Sequence, residues 1–162
     1  MSSNFQKVNE FNTVFRVERS AKKYGPGVFD NTSMVQLRMD LIREEMRELE
    51  EAVANKDCKE TVDALADILY VVYGMGDCLG VNLDKAFRIV HESNMSKLAD
   101  TEEQAVASVQ KYLEDGTYDT PAYRCIETPQ GTKYLIYNQS TGKVLKNKDY
   151  KKANFDELLS RD

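Results

Sequence analysis

Apolar residues recur at near-helical intervals from the start of the chain. Phe5, Val8, Phe11, Val14, Phe15 and Val17 predict a helix within residues 4 to 24, broken by Gly25, Pro26 and Gly27. A second helix is predicted over Thr32 to Ala54, capped by Thr32 or Ser33. "NKDCKE" makes a turn, and Asp57 with Glu60 three residues on has the form of a capping box. The third helix, about Cys58 to Leu79, is apolar nearly all round through "VDALADILYVVY" and ends near Gly80. A fourth begins near Asn82, with Leu83, Ala86, Phe87 and Val90 on one face, and a fifth runs from Thr101 to Leu113, closed by Gly116. The texture then changes. "YRCIETPQGTKYLIYNQSTGKVLKN" mixes β-branched and aromatic residues with the turn signals "PQG" and "STG", which predicts a small β-meander or irregular appendage.

Two helices depart from their own pattern, and the departures are acidic. Wound at about 100° per residue, the second helix puts Leu41, Leu49 and Ala52 on one stripe, with Glu45 in its middle. Glu48 lies beside Glu45 and Glu44 further round. An unpaired carboxylate on a buried stripe costs several kcal/mol or shifts its pKa until neutral, so positive charge is required nearby. Arg38, on the same stripe, is one candidate. The third helix carries Asp63 and Asp67 on one face of an otherwise apolar surface, with Glu60 on that face too. Packed together, two such helices bring their acids together. Oxygen donors without histidine or thiol make a hard-cation site, for magnesium with manganese as a substitute. A di-iron bundle needs Glu-x-x-His on two helices, and His91 is the chain's one histidine. Taken alone, Glu44, Glu50 and Glu51 read as solvated helix charges. Two acid-bearing helices facing each other, plus two more, give an all-α antiparallel four-helix bundle as the expected core.

Composition narrows the surroundings. The 162 residues fit one globular domain with a small appendage, divided here into a helical body, 1–119, and a tail, 120–162, packed on it. The net charge of −5 disfavours a broad nucleic-acid surface. No apolar run approaches the roughly 18 residues of a membrane helix, and "MSSNFQKVNEF" lacks the apolar core of a signal peptide. Cys58, Cys78 and Cys125 form no CxxC pair, so a reducing cytoplasm is the expected location. The tail is too short for a self-sufficient core without a disulfide or metal.

"EEMRE" followed by "DALADILYVVYG" resembles the MazG-like all-α nucleoside triphosphate pyrophosphohydrolases, relatives of phosphoribosyl-ATP pyrophosphohydrolase and the dimeric dUTPases. Glu44, Glu45 and Glu48 match the family's E-E-x-x-E. Its E-x-x-D is altered: Asp67 stands before "ILY", but the position three earlier is Ala64. Asp63 substitutes there, or Glu60 with Asp63 supplies the literal motif. "HESNMSKL" and "TGKVLKNKDY" resemble segments of one MazG-like subgroup.

The resemblance implies hydrolysis of a (deoxy)nucleoside triphosphate between its α and β phosphates, in nucleotide-pool housecleaning. A homodimer or a tetramer of dimers is implied with it. Glu45, Glu48 and Asp67 are the expected metal ligands, with Asp63 as a fourth and Glu44 as the water-activating base. Lys97, Asn94, Lys146 and Lys148 are expected to bind substrate. A phosphoribosyl-ATP-like substrate, or a catalytically weak binding module, are the alternatives.

Overall fold

The computed structural model describes residues 1–21 and 26–160. These residues are mostly helical, with α1 at Asn4–Val14, α2 at Thr32–Ala54, α3 at Cys58–Cys78, α4 at Leu83–Met95, α5 at Glu102–Asp115 and a short α6 at Asp156–Leu159. Two strands, β1 at Pro121–Thr128 and β2 at Gly131–Asn138, form one antiparallel sheet. No single helix among the described residues is long and apolar enough to cross a membrane. Contacts group the chain into two compact units, Met1–Phe87 with Phe155–Asp162, and Arg88–Asn154.

In the first unit, α1 starts at a reciprocal cap. Ser3 Oγ accepts the Gln6 N–H, and Gln6 Oε1 accepts the Ser3 N–H. The helix ends at Val14, well short of residue 24. Arg16 takes a positive φ of 55°, and the Val17 N–H bonds back to the Asn12 carbonyl at 2.8 Å. That reversal lets Arg19 return to Asp77 on α3. Of the predicted Gly-Pro-Gly break, Gly25 lies outside the described residues, and Pro26–Phe29 forms one 3₁₀ turn.

The cap of α2 is Asn31 rather than Thr32 or Ser33. Its Oδ1 accepts the Met34 N–H at 3.1 Å and the Ser33 hydroxyl at 3.0 Å. An N-cap oxygen must reach the amide two or three residues on, and Thr32 and Ser33 are already inside the helix. Asp57 caps α3, accepting the Lys59 and Glu60 N–H groups at 3.0 and 3.1 Å, but the expected box does not close, because the Asp57 N–H bonds the Ala52 carbonyl at 2.9 Å.

α1 and α2 each pack on α3. Val8, Val28, Met34, Ala52, Ala64 and Cys78 are buried there. Ala52 and Ala64 let the arms of the α2–α3 hairpin close on small side chains. Gly76 meets a tighter demand: a Cβ there would lie 2.4 Å from Leu83 Cγ. Gly76→Ala is therefore expected to cost about 1–3 kcal/mol by overpacking, measured by denaturant unfolding. At Gly74 a Cβ would meet Val8 Cγ1 at an ordinary 3.8 Å. The outer face of α3 is not covered within the unit. Val62, Leu65, Leu69 and Tyr70 are exposed, as are Phe11, Val14 and Phe15.

In the second unit, Thr101 and Gln104 make a capping box for α5, and Gly116 closes it at φ 61°. The strands pair from Pro121↔Asn138 to Thr128↔Gly131 around a Pro129–Gln130 turn. The expected meander is thus a hairpin. Its third strand shrinks to a single bridge, Tyr137↔Val144. The reason lies at Asn138. Its Nδ2 donates to Asp119, Ser140 and Thr141, holding a tight turn where a strand connection would need to straighten.

Ala99, Ala105, Ile136 and Leu145 form the core of this unit, with Val109, Tyr112, Tyr118, Tyr123 and Tyr134 packed against them. Helix α5, assigned to the helical body from sequence, packs on both strands. The contact division therefore follows Phe87 rather than residue 119.

Candidate functional site

Helix α2 carries Glu44, Glu45 and Glu48, and α3 carries Asp63 and Asp67. Glu45 is half-buried, and the other four are exposed. The apolar stripe that holds Glu45 also desolvates it. Its Oε2 is buried with no hydrogen-bond partner. Burial raises the Glu45 carboxyl above its ordinary value, and the charges of Glu48, Asp67, Glu44 and Asp63 raise it further. Acids of both helices, four in number, thus act on the fifth, Glu45.

Arg38 does not relieve Glu45 at these atoms. Arg38 Nε is itself buried without a hydrogen-bond partner. The Arg38 charge acts instead on the fully buried Cys78, whose thiol is pushed up by burial against the pull of Arg38.

Beside Glu48 and Asp63 opens a cleft of about 330 Å³, also lined by Glu51, Asp57 and Glu60. Glu60 thus has a backbone N–H held by the Asp57 cap and a side chain on the cleft wall. Ala64 also lines the cleft and is 4% exposed, so a packed methyl occupies the position three before Asp67. Sequence reasoning set Glu51 aside as a solvated charge and Asp57 as a cap. Their common cleft depends on the register between α2 and α3, for which periodicity along one helix gives no signal.

The donor set suits a hard divalent cation: all oxygen, on facing helices, with one buried carboxylate oxygen unsatisfied. Among the described residues, no three histidine, cysteine or acidic side chains already stand close enough to hold an ion. Closing such a shell requires rotation of the exposed Glu48, Asp63 and Asp67, whose rotamers solvent leaves accessible.

The second unit collects the lysine motifs. "SNMSKL" straddles the end of α4, and "VLKNKDY" follows the hairpin. Hydrogen bonds sew these irregular segments together. Asn147 Nδ2 donates to the Ser96 and Leu98 carbonyls at 2.7 and 2.6 Å. Ser93 Oγ donates to the Lys151 carbonyl at 2.9 Å and bonds the Tyr150 hydroxyl at 2.9 Å. The Lys151 N–H reaches Ser96 Oγ at 3.0 Å.

The seam sets the backbone on either side of Lys97 against Asn147, the residue between Lys146 and Lys148. Lys146 Nζ lies over the Tyr150 ring, 4.7 Å from its centre. Lys148 pairs with Asp149 at 2.9 Å, so the one acid of the lysine run is engaged locally. Asn94 is exposed in the last turn of α4, and its carbonyl accepts the Lys97 N–H at 3.2 Å. His91 lines a second-unit cavity of about 430 Å³ with Lys133, Lys151, Asp100 and Asp149.

Among the exposed aromatic side chains, Phe15 stacks on Phe11 at 4.3 Å, and Tyr70 meets Phe11 edge-on at 5.6 Å. Phe87 is exposed.

The model of the phosphoribosyl-ATP pyrophosphohydrolase family matches residues 8–94 of this chain. That span holds all five acids and Asn94 and stops before the three lysines. An uncharacterized protein of Acanthamoeba polyphaga mimivirus, L479, is 28% identical, covering 98% of this chain and 96% of its own length.

Proposed function

The chain belongs to the phosphoribosyl-ATP pyrophosphohydrolase family, and from that premise we propose that it cleaves a nucleoside triphosphate between the α and β phosphates. The products are a nucleoside monophosphate and pyrophosphate, and the role is removal of unwanted deoxynucleotides. The observation that carries this reading is Glu45, half-buried, with an unsatisfied Oε2 and four carboxylates acting on it. Evolution has little structural reason to bury an acid among acids without a cation.

Glu45, Glu48, Asp63 and Asp67 are the residues to hold magnesium, with manganese a substitute. When bound, the cation supplies charge neutralisation on phosphate oxygens and a more acidic water. Glu44 is exposed beside them and accepts the proton of the attacking water on its carboxylate. Lys97, Lys146 and Lys148 offer their ammonium groups to phosphate oxygens, and Asn94 its amide to sugar or phosphate.

The exposed Val62, Leu65, Leu69 and Tyr70 of α3, with Phe11 and Phe15 of α1, form a wide apolar surface. A second copy of the chain covers it in this reading and completes a four-helix core. Sedimentation that finds only monomer at micromolar concentration removes that part.

The test of function is pyrophosphate release from a panel of triphosphates and phosphoribosyl-ATP with Mg²⁺. Phosphoribosyl-ATP belongs on the panel because the matched family carries its name. Release from none of them overturns the proposal. Mg²⁺ is also expected to raise the melting temperature, by about 2.7 kcal/mol of added stability at a hundredfold excess over Kd. EDTA should abolish both effects. Ca²⁺ should stabilise but support poor turnover, its coordination being larger and looser.

A further inference from the structure

We propose that Asn147 is a positioning residue that fixes the three lysines of the second unit as one phosphate-holding group. This rests on the proposed role of Lys97, Lys146 and Lys148 in binding phosphate. Asn147 is 6% exposed although it lies in irregular chain. Its Nδ2 donates to the carbonyls of Ser96 and Leu98, the residues on either side of Lys97. Its Oδ1 accepts the Asp149 N–H at 2.5 Å. Both amide protons and the carbonyl oxygen are therefore engaged.

Its chain neighbours are Lys146 and Lys148. One side chain thus ties the backbone roots of all three lysines together. Neighbouring bonds brace the same residues: Tyr112 donates its hydroxyl proton to the Lys146 carbonyl, and the Lys148 N–H reaches Ser108 Oγ, each at 2.9 Å.

The physical need for such a clamp is clear. Neither "SNMSKL" beyond Met95 nor "VLKNKDY" lies within a helix, and each gains at most a single bridge from the sheet. Lysine is a long, flexible donor that loses about 2 kcal/mol of rotamer entropy when fixed. Three lysines on two unanchored segments would add that loss to the loss of backbone freedom. With their roots fixed, only the stems remain to be ordered, so a multiply charged phosphate chain meets its donors at a smaller entropic cost.

No other side-chain type of this size supplies two donors and one acceptor in that geometry. Aspartate keeps the shape but turns a carboxylate toward two carbonyl oxygens. Alanine leaves both carbonyls and the Asp149 N–H without a partner.

The experiment compares N147A and N147D with K97M, and with N138A as a control. Asn138 is equally buried in the same unit but holds the Asp119–Thr141 turn and touches none of the three lysines. Turnover of the best triphosphate and calorimetric binding of pyrophosphate with Mg²⁺ are measured on each folded protein. Both Asn147 variants should raise KM by about tenfold with kcat little changed, and weaken pyrophosphate in parallel. K97M, which keeps every bond of the seam, should do the same. N138A should lower the melting temperature without moving KM.

Wild-type KM in a folded N147D protein overturns the proposal. So does unchanged KM in K97M, or an equal rise in N138A. If wild type binds pyrophosphate without turning over, the affinities decide. A wild type that neither binds nor turns over overturns the functional reading and this inference with it.

Discussion

Glu45→Gln or Asp67→Asn is expected to cut pyrophosphate release by roughly 10²- to 10³-fold, with the fold intact. Glu45 is the acid whose surroundings most disfavour its charge, and of the two α3 acids that act on it Asp67 acts more strongly. Each substitution removes one anionic donor while preserving shape. The stability readout separates a metal ligand from a structural ion pair.

In metal-free protein the Glu45 carboxyl is raised above its ordinary value. A raised acid imposes a stability cost that grows as pH rises through the folded pKa and vanishes below the unfolded one. Glu45→Gln removes that cost, so its metal-free melting temperature should exceed wild type at neutral pH. With saturating Mg²⁺ the order reverses, because wild type gains binding energy that the variant lacks. Near-normal turnover in either variant removes that residue from the ligand set. A metal-free Glu45→Gln protein less stable than wild type shows that the carboxylate is paired rather than waiting for a cation.

The parts of this protein that were legible in sequence are those whose signal is local. Helix α2 was predicted and found at Thr32–Ala54, because its apolar period is clean and turn residues bound it. Glu45 was legible for the same reason, as an acid placed where the period demands an apolar residue. Helix α1 was overextended because Phe15 and Val17 keep the helical period. What ends it is tertiary: Arg19 must turn back to meet Asp77.

The acidic cleft was half legible. Glu48 and Asp63 were named, but Glu51 and Asp57 join them only through the register of one helix on another. The second unit shows the limit most plainly. Its strands were visible as runs of β-branched and aromatic residues. The partner of α5 was not, because an amphipathic face says only that something covers it. Here Ala105, Val109 and Tyr112 face the hairpin's Ile136 and Tyr134 core.

Asp77 carries the second large prediction, and nothing near it in sequence announces its importance. It lies in "GMGDCLG" and is 5% exposed. Its Oδ1 accepts from Asn9 Nδ2 at 2.6 Å, and its Oδ2 from Asn12 Nδ2 and Arg19 Nε, each at 2.8 Å. These donors stand 58 to 68 residues away along the chain. One carboxylate therefore fastens α1 and the segment after it to the end of α3.

Asp77→Ala should cost about 2–4 kcal/mol, because it takes the carboxylate acceptor from the buried Asn12 amide, the Asn9 amide and the part-buried Arg19 guanidinium at once. Asp77→Asn should fall in the same range. An amide offers one acceptor oxygen where two are used, and it turns its own N–H groups toward the remaining donors. Amide exchange should rise first along α1, which loses its anchor.

The pH dependence gives a second check. Burial raises the Asp77 carboxyl, but the bonds from Asn12, Asn9 and Arg19, with the Arg19 charge, outweigh it and hold it below the ordinary value of 3.8. A lowered acid contributes stability that is fully present above the unfolded pKa and is lost as pH falls through the folded one. The deficit of Asp77→Asn against wild type should thus be constant over about pH 5 to 8 and shrink below the ordinary carboxylate range. The metal-free advantage of Glu45→Gln should also shrink on acidification, so the two variants approach wild type from opposite sides. An Asp77→Asn protein within about 1 kcal/mol of wild type at neutral pH would show that this network adds no more than a single ordinary hydrogen bond.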